Sequence, residues 1–430
     1  MKMMKQKTKL AGGHKKLLYF IFLILLFCNK SFCSQIYDYQ TDKLIEKINS
    51  EILSVNNYNK KINFKIINDS FPNAFVTEDN TLFISSGLIV YSPDYVSLLA
   101  VLAHEIGHLE EYHVAKRINA VSDLKKINSF GNLVAIAGSM IIQEPELINA
   151  VIVNQTSINN LYINFSQDQE KEADIYAVNT LEKLNLSKRS LKQFLSIIES
   201  KTQFDLVDIE LRKFSTHPLF KERYELLESQ EEIGLKNFDQ NLQTEFNYIK
   251  AKFIAYTNNE HSNVLNGDEK IYYEAIQHAL SGKLFDSLKK LNSLISKYNY
   301  NYFFLETKAD ILQSYGYIKE AIEFYKKVLI QYPENNYVKF NIFLNSKYIN
   351  KDKKHIKKIF IENQNLINLF PYNKDFITKY YNLAKYLEYA DWISFFEILL
   401  FNKKELKKNL VELNKKTKDN NLKTIIKLYI

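Results

Sequence analysis

The stretch SPDYVSLLAVLAHEIGHLEEYHVAKR, residues 92–117, decides how the rest of the chain is read. It is an apolar run carrying His104, Glu105 and His108 in an H-E-x-x-H pattern. Ser92 suits a helix N-cap, Pro93 the first helical position and Asp94 the positive end of the helix dipole, so a helix is predicted to start there. Residues four apart lie on one helix face. His104 and His108 can therefore both turn an imidazole nitrogen to a single zinc ion, and Glu105, one step round, can hold its water. His113 falls about 140° further round the helix than His108 and lacks the glycine turn of the metzincin pattern, so a supporting or structural role is predicted for it. A third ligand must come from elsewhere.

The second chemical stretch is SQDQEKEADIYAVNTLEKL, starting at Ser166. Ser166 and Gln169 form a capping box, and the helix they start places Glu170 and Asp174 on one face with Glu172 pointing away. Glu170 can complete a His₂Glu zinc site, and Asp174 can accept a hydrogen bond from a ligand imidazole and set its tautomer. Taken alone, the same acidic helix start is also what a solvated surface complementing the dipole looks like.

Residues 1–33 hold seven lysines and no acid around an apolar core at 17–28, which is the pattern of a secretory signal peptide. Ser31 and Cys33 offer small residues for cleavage before Ser34, and an uncleaved inner-membrane anchor is the alternative. Both cysteines, Cys28 and Cys33, lie in this leader, so the mature chain uses no disulfide and no thiol. The net charge of +8 falls to +1 once the leader is set aside, and nucleic acid is not implied as a partner. What remains is polarised. Residues 34–262 carry 22 basic and 31 acidic residues, and residues 263–430 carry 28 and 18. Two domains with opposite surfaces are expected, each long enough for its own core.

In the first, a helix is predicted over 37–53, a strand over 63–67, and a hairpin over 73–89 whose turn is Glu78-Asp79-Asn80. The hairpin is either ordinary core or an edge beside the zinc site able to bind an extended peptide by strand addition. Residues 130–142, FGNLVAIAGSMII, are too few to cross a membrane and read as a buried helix or a moving cover. The polar run 257–270 reads as the boundary. Beyond it Ile271, Ala275, Gly282, Leu284, Leu288 and Leu291 recur 34 residues later as Leu305, Ala309, Gly316, Ile318, Ile322 and Tyr325. That is the tetratricopeptide period, and degenerate helices around 337–350, 376–389 and 392–400 are expected to continue the stack. KDKKHIKK at 351–358 is a solvated turn or a contact for an acidic partner.

The set HEIGH at 104–108, EKEAD at 170–174 and HPLFKER at 217–223, with NAF at 73–75 and YIKAKFIAY at 248–256, resembles the zinc metallopeptidases typified by the CAAX prenyl protease. The likeness is strongest to the periplasmic branch that joins such a domain to tetratricopeptide repeats. The resemblance implies one Zn²⁺ held by His104, His108 and Glu170, Glu105 as the base, Asp174 behind a ligand, and catalytic roles near the metal for His217 and Arg223. His217, held before Pro218, would either swing in to gate the site or support the oxyanion; a turn histidine without function is the plain alternative.

The expected fold class is α+β, mostly α: a signal peptide (1–33), a zincin-like metallopeptidase domain with a small β-sheet (34–262), and an α-helical tetratricopeptide-repeat superhelix (263–430). The expected protein is a periplasmic zinc endopeptidase of misfolded or misassembled outer-membrane proteins. Its repeat domain recruits substrate or the outer-membrane assembly machinery, and no transmembrane helix remains in the mature chain. The alternative is a chaperone or adaptor whose protease domain is latent.

Overall fold

The computed structural model describes residues 35–77, 79–111, 167–204, 223, 227, 238–257, 259–298, 301–349, 352–369, 373–401 and 405–430. The leader at 1–33, His113, the apolar segment 130–142, Ser166 and His217 lie outside the described residues.

Helix α1 (Tyr39–Val55) starts two residues later than the periodicity suggests, because Asp38 caps it by accepting the Thr41 N–H at 2.9 Å. Its Leu44, Ile45, Ile48 and Ile52 recur at helical spacing and are buried. The expected strand and hairpin form β2 (Asn63–Ile67), β3 (Ala74–Val76) and β4 (Thr81–Ser85), and an additional short strand, β1 (Gln35–Ile36), joins them in the order β1-β2-β4-β3. β2 runs parallel to β4, and the other two pairings are antiparallel. The hairpin turn holds Asn80 at φ 58°, a left-handed conformation that asparagine tolerates. β4 is buried along its whole length, which leaves β3 as the outer strand.

After β4 the chain does not extend the hairpin arm. It turns directly into α2 (Ser86–Tyr91), since the Ser85 hydroxyl accepts the Leu88 N–H at 3.0 Å and caps a new helix. Gly87 on this helix sits against the backbone of Ser70 and Phe71; a Cβ built there would lie 2.4 Å from the Ser70 carbonyl oxygen. A backbone wall cannot yield as a side chain can. Gly87→Ala is expected to destabilise the fold by about 1–3 kcal/mol, as overpacking does, and urea unfolding measures it.

The motif helix α3 (Tyr95–Glu110) begins later than predicted from Ser92 and Pro93. Asp94 is its N-cap: the carboxylate accepts the Ser97 N–H at 2.7 Å, and Ser97 Oγ accepts the Asp94 N–H at 3.3 Å. Ser92 instead closes α2, donating its N–H to the Leu88 carbonyl. α3 is buried on nearly every side, and α1, β3, α4 (Gln167–Lys183) and α5 (Arg189–Phe204) pack around it. An amphipathic helix would have exposed one face; this one is the centre of the domain.

Helix α6 (Gln240–Thr257) runs into the polar segment read as a boundary, which forms a short 3₁₀ helix, Asn259–Val264. The buried apolar core does not break there but is continuous from Tyr39 to Val338. Tyr248 of α6 meets Phe304 edge-on with ring centroids 5.1 Å apart, and Lys252 Nζ donates to Asp38 Oδ2 and Gln40 Oε1 at 2.6 Å each. A buried charge is tolerable only when paired and hydrogen-bonded in this way.

Beyond this point the described residues are helical. Helix α7 (Gly267–Leu280) packs on α8 (Leu284–Lys297), and α9 (Tyr302–Ser314) on α10 (Ile318–Gln331). The turns inside the two pairs hold Gly282 at φ +80° and Gly316 at φ +85°, where any side chain would be strained. The stack continues through α11 (Asn336–Leu344), α12 (Ser346–Ile349), α13 (Lys353–Glu362), α14 (Lys374–Leu387), α15 (Ala390–Phe401), α16 (Leu406–Lys416) and α17 (Asn420–Ile426). These pack on a second core around Phe360, Tyr380 and Trp392. The result is an α+β fold that is mostly helix, a small-sheet unit followed by a helical repeat region. Among the described residues no helix is long and apolar enough to cross a membrane.

Candidate metal centre

His104, Glu105 and His108 lie in the last two turns of α3, and all three are buried. One helical turn apart, the two histidines point their Nε2 atoms at each other, 3.1 Å apart. Glu170, in the first turn of α4, brings Oε2 to 3.4 Å from His104 Nε2 and Oε1 to 3.6 Å from His108 Nε2. The three residues form a triangle of donors, with one ligand atom from each lying within 4.8 Å of the others. Among the described residues they are the group of His, Cys, Asp and Glu able to hold a metal ion.

The two helices come this close because of two small residues. Gly107, between the histidines, faces α4 so tightly that a Cβ there would be 3.0 Å from Tyr176 Cβ and 3.2 Å from Ala173 Cα. A glycine inside a helix costs roughly 0.5–1 kcal/mol relative to alanine, and here the approach of α4 offsets it. Ala173 is itself one residue from Asp174, so the contact that brings the helices together also sets the carboxylates against the imidazoles.

Behind the triangle lies a chain of charge-assisted hydrogen bonds. His104 Nδ1 donates to Asp174 Oδ1 at 2.8 Å, and Arg223 grips Asp174 with Nε to Oδ2 and Nη2 to Oδ1, each at 2.7 Å. Arg223 Nη1 also stands 3.5 Å from Glu170 Oε2. Burial works to raise the Asp174 pKa, but the Arg223 charge and the His104 hydrogen bond outweigh it and hold the carboxyl below its ordinary range. Burial likewise works against a charged His104, yet hydrogen bonds and charge from Asp174 and Glu170 leave its pKa raised. An ionised Asp174 can only accept. A proton of His104 is therefore kept on Nδ1, so that Nε2, which faces Glu170 and His108, is the nitrogen left to bind a metal once its own proton has gone.

The structure thus brings together His104, Glu105, His108, Glu170, Asp174 and Arg223 from three separate segments. Arg223, expected near the metal, clamps Asp174 and stands beside Glu170. His217 is outside the described residues. No motif marks α5, whose Leu191, Phe194, Leu195 and Ile198 line a cleft shared with His104 and Glu105. Its signal was present in the i, i+3, i+4, i+7 spacing of those four residues.

Residues 39–231 match the model of peptidase family M48. The chain is similar to the beta-barrel assembly-enhancing proteases of Yersinia pestis, 23% identical over 43% of this chain and 37% of that one, and of Escherichia coli K12, 24% identical over 39% and 34%. The protein given that name in Vibrio cholerae serotype O1 is 28% identical over 40% of this chain and 35% of its own length. The matched stretch spans about a third of each relative. Matching motifs, a shared family model and these relatives agree: residues 39–231 resemble the domain of peptidase family M48, which supports a metallopeptidase.

Proposed function

We propose that this chain is a zinc-dependent endopeptidase acting on unfolded or misassembled outer-membrane proteins in the periplasm. The observation that carries the reading is the donor triangle of His104, His108 and Glu170 with Glu105 beside it. Zinc bonds of about 2.0–2.1 Å at tetrahedral angles set ligand atoms about 3.3–3.4 Å apart; the two Nε2 atoms here are 3.1 Å apart, and Glu170 brings one oxygen to 3.4 Å from His104 Nε2 and the other to 3.6 Å from His108 Nε2. The donors also have the right chemistry, two neutral imidazoles and a carboxylate, the set used in catalytic sites that keep a fourth position open. One bound zinc supplies Lewis-acid polarisation of the scissile carbonyl and makes water a stronger acid.

The protein's own groups do the rest. Glu105, adjacent in the chain to a ligand but outside the triangle, takes the proton of the attacking water and passes it to the leaving amine. Asp174 holds the His104 ring in the tautomer that presents Nε2, and Arg223 holds Asp174. Substrate main chain finds a place on β3. Asn73, Phe75 and Thr77 face β4 in the ladder, so the N–H and C=O groups of Ala74 and Val76 point toward the outer edge. An extended peptide adds there as a further strand.

The division at residues 262 and 263 into a peptidase part and a tetratricopeptide part belongs to the same proposal. It is supported by the change of net charge, by the 34-residue spacing of Gly282 and Gly316, and by helix pairs on either side of each. The repeat part then recruits substrate or assembly machinery. The periplasmic setting rests on the composition of residues 1–33, and the outer-membrane substrates on the beta-barrel assembly for which the relatives are named.

The test pairs metal analysis with proteolysis. Purified chain is expected to hold one zinc, to degrade a denatured outer-membrane protein, to stop on chelation and to recover with added zinc. Zinc below a tenth of an equivalent after purification in zinc-containing buffer, with cleavage indifferent to chelator, would overturn it.

A further inference from the structure

Helix α13 buries Ile356 and Phe360 in the second core and turns its other side to solvent. On that outer side Ile361 follows Lys354, Lys357 and Lys358 by seven, four and three residues, so the isoleucine stands among three lysines on one face. All four are exposed, Ile361 at 55%. Tyr348 and Ile349 of α12, just before them in the chain, are exposed too. Residues 346–361 hold six lysines and one acid, Asp352. That acid is used locally: it caps α13 by accepting the Lys354 N–H at 2.9 Å. Glu362, the next acid in the chain, lies 3.8 Å from Lys358 in an exposed pair that water screens. A solvated helix face accounts for the lysines. It does not account for three large apolar side chains exposed among them.

We propose that α12 and α13 seat on an anionic bilayer surface, with the lysine ammoniums at the lipid phosphates and Ile361, Tyr348 and Ile349 reaching the boundary of the acyl chains. Charge selects the occupant, because a surface of net positive sign is complementary to a sheet of anionic headgroups. The kind of charge selects it further. All six basic residues are lysines, compact point charges that suit a diffuse lattice of phosphates, whereas gripping one carboxylate in a fixed geometry is the strength of an arginine fork. The apolar residues complete the match. A lysine stem lies along apolar surface while its head stays in water, and the headgroup region of a bilayer offers both phases within the length of one side chain. The inference stands on α12 and α13 and does not depend on the peptidase reading; joined to that reading, it puts the peptidase beside a membrane.

The experiment uses the full chain carrying Ile361→Trp, which places an indole at the centre of the face. The chain has one tryptophan of its own, Trp392, which is 2% exposed and serves as a fixed internal reference. Vesicles are made of equal parts phosphatidylglycerol and phosphatidylcholine brominated on its acyl chains. At low ionic strength the new indole is expected to shift its emission to the blue and to be quenched by the bromines, and to do neither with vesicles of brominated phosphatidylcholine alone. Lys354→Gln, Lys357→Gln and Lys358→Gln together should raise the lipid concentration needed for half the quenching about 100-fold, since each lysine near such a surface contributes about fivefold. The same charge loss on α16, as Lys407→Gln, Lys408→Gln and Lys415→Gln, should raise it only about twofold, through the general field. Tyr348→Trp gives a second probe of the same face if Ile361→Trp fails to fold. The leader has no tryptophan, so its own affinity for lipid cannot mimic the signal.

An indole neither shifted nor quenched by the anionic vesicles overturns the proposal, as does equal quenching by the neutral ones. Equal losses from the two sets of lysines assign the binding to overall charge and overturn this face. A shift on adding soluble polyglutamate, with none from vesicles, assigns the face to an acidic protein, and a shift with protein concentration alone assigns it to a second copy of the chain; either overturns the bilayer.

Discussion

Glu105→Gln is expected to retain zinc at one equivalent while cleavage falls about 10²–10⁴-fold, roughly 3–5 kcal/mol of barrier. The side chain is nearly isosteric and is buried, so packing changes little. What is lost is the ability to accept a proton, since a carboxamide is not a base at neutral pH. The metal survives because Glu105 is outside the triangle of His104, His108 and Glu170. Replacing a member of the triangle has the opposite signature. His108→Ala or Glu170→Ala removes a donor from a fully buried site, and zinc and activity should go together. Metal content by mass spectrometry and cleavage of a denatured outer-membrane protein separate the two classes. Stoichiometric zinc in Glu170→Ala would mean that the third ligand lies elsewhere. A Glu105→Gln protein that still performs the biological task in cells would favour the chaperone reading over the protease.

Arg223→Met should cost about 3–5 kcal/mol of stability in the metal-free protein and weaken zinc binding about 10- to 100-fold. Asp174 is only 3% exposed, and without its partner the carboxylate is a buried charge with one weak donor left, the His104 ring. The damage to metal binding is indirect. Once Asp174 is free to take a proton or turn away, the His104 tautomer is no longer set and Nε2 presents its lone pair less of the time. Arg223→Lys should not rescue, because an ammonium cannot supply two parallel N–H groups to both carboxylate oxygens. A double variant, Arg223→Met with Asp174→Leu, should recover much of the stability and none of the zinc affinity. Urea unfolding in chelator reads the first quantity, and competition with a zinc indicator reads the second. An Arg223→Met protein as stable as its parent and equally tight for zinc would show the pair to be incidental.

Much of this centre was legible before any coordinates. Two histidines four apart need only a helix to share a face, and the run from Tyr95 onward is a strong helix. The hairpin was legible for the same reason, since Asn80 tolerates the left-handed turn between two short apolar arms. So was the repeat, because Gly282 and Gly316 answer a local steric demand that recurs every 34 residues. The cap of α3 was misread although it is local: Ser92, Pro93 and Asp94 all suit a helix start. The choice of Asp94 followed from Ser97 three residues on and from Ser92 being taken up by the end of α2.

The tertiary structure alone decided where Arg223 points, what α5 does, and whether the core breaks at residue 262. HPLFKER shows basic residues, but only the fold places the Arg223 guanidinium on Asp174, 49 positions away in the chain. The LxxFLxxI face of α5 reads as core from its spacing; that it also borders a cleft with Glu105 depends on how far α5 stands from Phe71. The polar run at 257–270 reads as a boundary because its composition is hydrophilic, and only the fold shows that buried residues on either side of it meet through Tyr248 and Phe304. Spacing along a chain encodes what neighbours in one turn or one hairpin can do, since those distances are set by backbone geometry. Which distant faces meet is set by small residues such as Gly107 and Ala173 and by the apolar area their contact removes from water, and one face has no record of the other until both are folded.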